Sequence, residues 1–208
     1  MSLTSHVGSP PNPSSPIVPT EPIWRLSVER YHEMIRAGVL TEDDPVELLD
    51  GWLVEKMVKN RAHTIATQGA RSAIERAIPD GWHVHSQEPV TLSTSEPEPD
   101  VIVVRGSPAD YPDSHPGPRD VGLVVEVADA SLRRDRGLKK ALYAAARIAA
   151  YWIVNLSEGQ IEVYAEPSGL ADQPDYAQRR DFRPGEEIPF VLEGREMGAI
   201  RASDVLPG

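Results

Sequence analysis

A single mixed α/β domain, of the α+β kind, is the expectation for residues 23–208 of this 208-residue chain, and three observations carry it. Two stretches with helical character, 61–78 and 135–146, alternate with short β-branched runs in the order helix, three strands, helix, strand, strand. Cutting the chain into two well-cored halves would leave each half small, so one core is favoured. The composition, 40% hydrophobic and 25% charged, supplies enough apolar surface to offset chain entropy in that core.

Each element has a local reason. Residues 1–22 hold six of the 20 prolines among Ser, Thr and Gly, with no periodic apolar face, and read as a disordered leader. Ser27 is a plausible N-cap for a short helix in which Tyr31, Met34 and Ile35 share a side and Gly38 marks the stop. Residues 46–58 alternate around Asp50-Gly51, a two-residue turn signal, and predict a hairpin with Glu47 near its start. In 61–78, Ile65, Gln68, Ser72, Ile74 and Ala77 give a loosely amphipathic helix that ends at Pro79-Asp80-Gly81. Three strands follow at 82–90, 101–104 and 122–127, adjacent in one sheet. An Ala-, Leu- and Lys-rich helix covers 135–146, and strands at 151–156 and 161–166 flank Ser157-Glu158-Gly159. Beyond residue 167 only 188–192 and 197–206 can add short strands or a closing turn.

Composition also limits function. With 32 acidic against 21 basic side chains the net charge is −11, which argues against a protein that coats nucleic acid through a broad basic face. The absence of cysteine removes disulfides and thiolate metal sites, leaving oxygen and imidazole as metal ligands. Neither a long apolar run nor a basic segment followed by an apolar one is present, so no membrane span or secretory signal is expected and a cytoplasmic location follows by default.

The chemistry should lie where acids meet buried strands. Asp100 immediately precedes the apolar run Val101-Ile102-Val103-Val104, and Glu126 is the only ionisable residue in Gly122–Val127. An unpaired charge in such a strand is costly, and a shared divalent cation would stabilise both acids. Asp100, Glu126 and the carbonyl of Val127 form a donor set suited to a hard cation such as Mg²⁺, with Lys139 on the next helix placed to orient a water and steady an anionic transition state. On spacing alone the blander reading is preferred: a strand acid held in a salt bridge, Lys139 and Lys140 on a solvated helix face, and Asp135 with Lys139 as an ordinary i,i+4 ion pair.

The runs EPEPDVIVVRG, HPGP, GLVVEVADASLRRDRGLKKALYAAA and YWIVNL, preceded by VELLDG and an Arg-Ala-His helix start, come in an order that resembles the Uma-type restriction endonuclease family of the PD-(D/E)XK superfamily. The resemblance spans residues 24–167. It implies a restriction-endonuclease-like αβββαβ core, with a mixed sheet flanked by helices, an N-terminal hairpin and a C-terminal β extension. It assigns Asp100 and Glu126 as the motif acids, Lys139 as the lysine and Glu47 as an additional upstream acid. His63 matches a position that can face the site, although a helix-start histidine bonded to backbone is the simpler account. Asp129 is either a third acid or part of the next helix cap, the cap being preferred. Tyr143, one turn after Lys139, would brace it, and Tyr151 and Trp152 read as core aromatics.

Two departures stand out. The usual lysine position, two residues after Glu126, is Ala128, so the ammonium must come from the following helix, from Lys139 with Lys140 as the alternative. A Gly-Ile-Pro-Glu turn is replaced by Arg147-Ile148-Ala149-Ala150, which leaves room for a longer helix. The resulting expectation is a Mg²⁺-dependent endonuclease-like phosphodiesterase, Mn²⁺ serving as a substitute, that acts on nucleic acid, DNA foremost, through a metal-activated water. Its rivals are a non-cleaving nucleic-acid- or protein-binding module that retains the fold, and a hydrolase of smaller phosphorylated substrates. A homodimer is expected if both strands of a duplex are cut.

Overall fold

The computed structural model describes residues 20–41 and 43–207. Most of the expected leader, residues 1–19, lies outside them. Ser27 caps helix α1 (Val28–Arg36) by accepting from the Arg30 amide, and Gly38, at φ +68°, follows the helix end. Val28 and Tyr31 are buried against Leu48, whereas Ile35 stays exposed. The hairpin of β1 (Val46–Leu49) and β2 (Trp52–Glu55) turns at Asp50 and Gly51, both at positive φ as a tight two-residue hairpin turn requires. A side chain at Gly51 would also collide with Arg25, its Cβ lying 2.6 Å from that of Arg25.

The centre is a six-stranded mixed sheet in the order β3 (Trp82–His85), β4 (Val101–Arg105), β5 (Val121–Ala128), β6 (Ala150–Asn155), β7 (Gln160–Pro167), β8 (Tyr176–Phe182). Only β5 and β6 pair in parallel, and the chain crosses between them through α3 (Leu132–Arg134), a π-helical turn (Asp135–Lys139) and α4 (Lys140–Ala145). Alternation sorts the side chains into two cores. Val101, Val103, Leu123, Val125, Trp152 and Val154 meet α2 (Arg61–Ala77) and the hairpin of β9 (Glu187–Leu192) and β10 (Arg195–Arg201) on one face. Ile102, Val104, Val124, Ala128 and Ile153 meet Tyr143, Ala144 and Ile148 on the other. Covered on both sides, β5 is buried along its whole length, which is why its sequence is continuously apolar apart from Glu126.

Four expectations change. The strand foreseen over 82–90 ends at His85, because Gln87 takes φ +60° and Pro89 cannot donate to a ladder. The buried face of α2 is Ala66, Ala70, Ala73 and Ile74 rather than one containing Ile65, since small alanines let the helix close on the sheet. Strand β8 was not foreseen: it is an edge strand, buried only at Tyr176 and Phe182, and its five polar or small interior residues show no apolar alternation. The crossover helix does not run on past 146; α4 stops at Ala145, Arg147 adopts φ +61° and Ile148 is buried in the second core.

Candidate active site

The two motif acids are brought together by strand register. β4 and β5 are antiparallel with Val101 opposite Val125 and Ile102 opposite Val124, so continuing one step places Asp100 opposite Glu126. Directly opposed residues of an antiparallel pair project to the same face. Glu126 therefore shares the face of Val124 and Ala128, and Asp100 that of Ile102 and Val104, which is the face covered by the crossover helices. Both acids are almost wholly buried, and Asp100 Oδ2 accepts from the Val127 amide at 2.9 Å.

Lys139 enters from those helices. Its Nζ lies 2.9 Å from Glu126 Oε1 and 3.1 Å from Glu47 Oε2, and Tyr143, four residues on, donates its hydroxyl to Glu126 Oε1 at 2.8 Å. The π-helical turn ends at Lys139, so the local widening of the helix sets the direction in which this side chain leaves it. Lys139 is buried, not on a solvated face, and no ion pair joins it to Asp135. Lys140 points elsewhere, to Asp175 at 2.7 Å. Of the two helix lysines, Lys139 is thus the one that reaches Glu126.

Glu47 reaches the same place because the first hairpin is stitched to the segment before β4. The Glu96 amide donates to the Leu48 carbonyl at 2.7 Å, the Asp50 amide to Ser95 Oγ at 2.8 Å, and the Glu98 amide to Glu47 Oε2 at 3.3 Å. Helix α2 closes the far side. Asn60 caps it by accepting from the His63 amide at 2.9 Å and also donates to Asp129 Oδ2 at 2.8 Å. Asp129 is therefore a partner of the α2 cap, while Ser131 occupies the N-cap of α3. The His63 ring turns inward: Nε2 is 3.1 Å from Asp100 Oδ2, with Nδ1 3.4 Å from Thr67 Oγ1, so its ring partners are side chains and not backbone. Lys59 Nζ sits 3.2 Å from Asp100 Oδ1. Tyr151 and Trp152 are core residues, and the Tyr151 hydroxyl donates to the Asp135 carbonyl at 3.1 Å, which steadies the π-helical turn.

Electrostatics divide the acids. Burial works against the charge of Asp100, yet the hydrogen bond and charge of His63, with Lys59 and the Val127 amide, outweigh it and hold the carboxyl below its ordinary range. Burial dominates at Glu126 and pushes it up to about 8 in spite of the Lys139 ammonium. Burial also opposes the charge of Lys139, but Glu126 and Glu47 prevail and raise its pKa above the ordinary lysine value. Lys139 therefore stays a cation across the neutral range.

Three members of the site escaped the sequence reading. Lys59 and Arg134 look like ordinary surface charges, although Arg134 Nη1 donates to the Glu55 carbonyl at 2.9 Å and lies 3.8 Å from Glu47. Asp135, 1% exposed, lines the same cavity as Asp100 and Glu126, and its Oδ2 has no hydrogen-bond partner among the described residues. The one available signal was its position as a lone acid between Arg134 and Arg136. Among the described residues no three His, Asp or Glu side chains form a ready-made metal cluster. The donor chemistry is nevertheless that of a hard cation: Glu47, Asp100, Glu126 and Asp135 offer only oxygen, Val127 lines the same cavity, and one buried carboxylate oxygen is unsatisfied.

Comparison with known proteins agrees with this architecture. The structure resembles a crystal structure of "a putative nuclease belonging to DUF820" from Anabaena variabilis, with a TM-score of 0.60 at 14% identity, covering 86% of this chain and 97% of the other. At that identity the likeness establishes a shared nuclease-like fold. No match was found among curated proteins. Residues 28–197 match the family model Uma2, described as "Putative restriction endonuclease", and over that span, most of its length, the chain belongs to the Uma2 family.

Proposed function

We propose that this protein is a Mg²⁺-dependent endonuclease that hydrolyses phosphodiester bonds of DNA. The observation that carries the reading is the opposition of Asp100 and Glu126 across β4 and β5, on one face, with Lys139 in contact with Glu126. Asp100, Glu126 and the Val127 carbonyl would hold the cation, with Glu47 assisting as a ligand or by hydrogen bonding. A bound Mg²⁺ supplies Lewis acidity toward the phosphate and a lowered pKa for a ligated water.

The chain's own groups supply the rest. Asp100 remains a carboxylate because His63 and Lys59 favour its charged form, so an anionic oxygen faces the cavity across the neutral range. Lys139 offers a cationic N–H donor, directed into the same cavity, to a nucleophilic water and to the charge that builds on the phosphate oxygens. Tyr143 fixes the Glu126 carboxyl against rotation. Glu47, Asp100, Glu126 and Lys139 are themselves buried, which strengthens each of these interactions.

The test is supercoiled plasmid with Mg²⁺ or Mn²⁺, beside Asp100→Ala purified identically. Nicking by the parent and its loss in the variant is the expected result; no nicking by the parent, or equal nicking by both, overturns the proposal. One observation favours a second reading, a non-cleaving module that keeps the fold: Lys59, His63 and Lys139 already neutralise the acids internally. Calorimetric titration with Mn²⁺ separates the two, since that module would show no carboxylate-dependent binding.

A further inference from the structure

Lys56-Met57-Val58-Lys59-Asn60, the segment between β2 and α2, lines one side of the acidic cavity, and Arg61 follows it as the first residue of α2. Its composition is unlike that of the chain as a whole. Where the protein has 32 acids to 21 bases, these six residues include three bases and no acid. At their centre Val58 is 98% exposed and Met57 44% exposed, an apolar pair raised into solvent between lysines. Among the described residues Val58 is left almost wholly uncovered and Met57 is half-covered beside it.

This lip is held in place at both ends. The Lys56 amide donates to the Pro45 carbonyl and its ammonium reaches Glu98, each at 2.6 Å, while Asn60 is bound to Asp129 and caps α2. Only the tip stands free. Arg133, at the start of the crossover helices on the other side, is exposed like Arg61, and neither forms an ion pair among the described residues. Arg61 directly follows the lining residue Asn60 and Arg133 directly precedes the lining residue Arg134, so each guanidinium group is carried by a segment that borders the carboxylate cavity. The cavity's own cations, Lys59 and Lys139, are taken up by its carboxylates, so an anionic polymer needs further cations beside it to approach.

Resting on the nuclease reading of this site, we propose that the 56–61 lip engages the DNA strand itself: Arg61 and Arg133 hold backbone phosphates, and Val58, supported by Met57, packs against the base of a nucleotide between them. Cations at the flanks with an apolar tip between them match a strand whose phosphates lie outside and whose bases offer apolar faces. The tip contact is insensitive to base identity. Affinity at this lip therefore depends on salt through the arginines and on unstacking through Val58.

The full chain should be titrated, with EDTA present to prevent cleavage, into a labelled duplex carrying 2-aminopurine, across a series of salt concentrations. Replacing both arginines, Arg61→Ala with Arg133→Ala, is expected to lower the slope of log affinity against log salt by about 2, at about 0.9 per phosphate contact on duplex DNA. Val58→Ser is expected to leave that slope unchanged, to weaken binding about three- to tenfold and to abolish the 2-aminopurine signal. An unchanged slope in the double variant, or parent-like binding and signal in Val58→Ser, overturns the proposal. So does a parent that does not bind, or light scattering that shows Val58→Ser splitting a dimer, which would make the tip a contact between copies of the chain. Failure of the nuclease reading is separate: a parent that shows the slope and the signal yet never nicks plasmid keeps the lip and loses the catalysis.

Discussion

Replacing Lys139 by Met removes one ammonium while keeping most of the side-chain volume, and the structure specifies what is lost. Lys139 Nζ is 2.9 Å from Glu126 and 3.1 Å from Glu47, and all three residues are less than 5% exposed. Removing one partner of a buried ion pair costs about 3–5 kcal/mol, because the remaining charge is stranded. The lower end applies here, since Glu126, already pushed up to about 8, can keep its proton and leave Glu47 as the main uncompensated group. For a domain of this size each kcal/mol moves the melting temperature by about 2–4 °C, so about 3 kcal/mol gives a fall of about 6–12 °C. A divalent cation should then repair the variant more than it stabilises the parent, in which the ammonium occupies the same oxygens. At about 100 times the dissociation constant the gain is about 2.7 kcal/mol, or about 5–11 °C. Differential scanning fluorimetry with EDTA and with MnCl₂ measures both effects. A fall of under about 2 °C would show that the pair does not support the fold; a full fall with no preferential Mn²⁺ recovery would leave the pair structural and refute a cation site at these oxygens.

Further predictions test other links. Glu126 has a folded pKa raised from its ordinary 4.5 to about 8, so its contribution to stability is full below about pH 4.5 and declines as pH rises through 8; Glu126→Gln, which mimics the protonated form, should match the parent in urea denaturation at pH 5 and exceed it at pH 9. A Glu126→Gln protein weaker than the parent at pH 9 would contradict this. Glu162 is fully buried; burial alone would raise its pKa, but hydrogen bonds from Arg136, Tyr164 and Asn155 hold it below the ordinary range. Glu162→Gln should therefore cost about 1.5–3 kcal/mol at pH 7, and that cost should fade as pH falls below the ordinary glutamate value. Because Arg136 belongs to the π-helical turn, the same substitution should also lower plasmid nicking, as the anchor of the turn that aims Lys139 is weakened. Gly69 lies in α2, where a Cβ would come within 2.8 Å of the Asp204 carbonyl. Gly69→Ala gains about 1 kcal/mol in helix propensity, but forcing the 202–204 turn outward costs about 1–3 kcal/mol, so thermal melting should show a net loss.

Much of this molecule was determined by the sequence acting locally. The Ser27 cap, the Asp50-Gly51 turn, the apolar runs of β4 and β5 and their placement before and after Asp100 and within Glu126's strand all depend on neighbours a few residues apart. Such neighbours could also mark Asp100 and Glu126 as expensive acids in need of a partner. Only the tertiary structure decided which partners they have. The pairing of Val101 with Val125 puts both acids on one face; the π-helical turn chooses Lys139 over Lys140; stitching of the first hairpin to residues 94–98 delivers Glu47; and the docking of α2 turns His63 and Lys59 onto Asp100. Asp135 and strand β8 stayed hidden for the same cause, one being an acid whose burial depends on how a helix packs, the other a polar edge whose only reason to be a strand is β7 beside it. Local periodicity fixes the face a side chain takes on its own element, but strand register and helix docking are set by core packing among residues far apart in the chain, and it is these that make separate charges into a site.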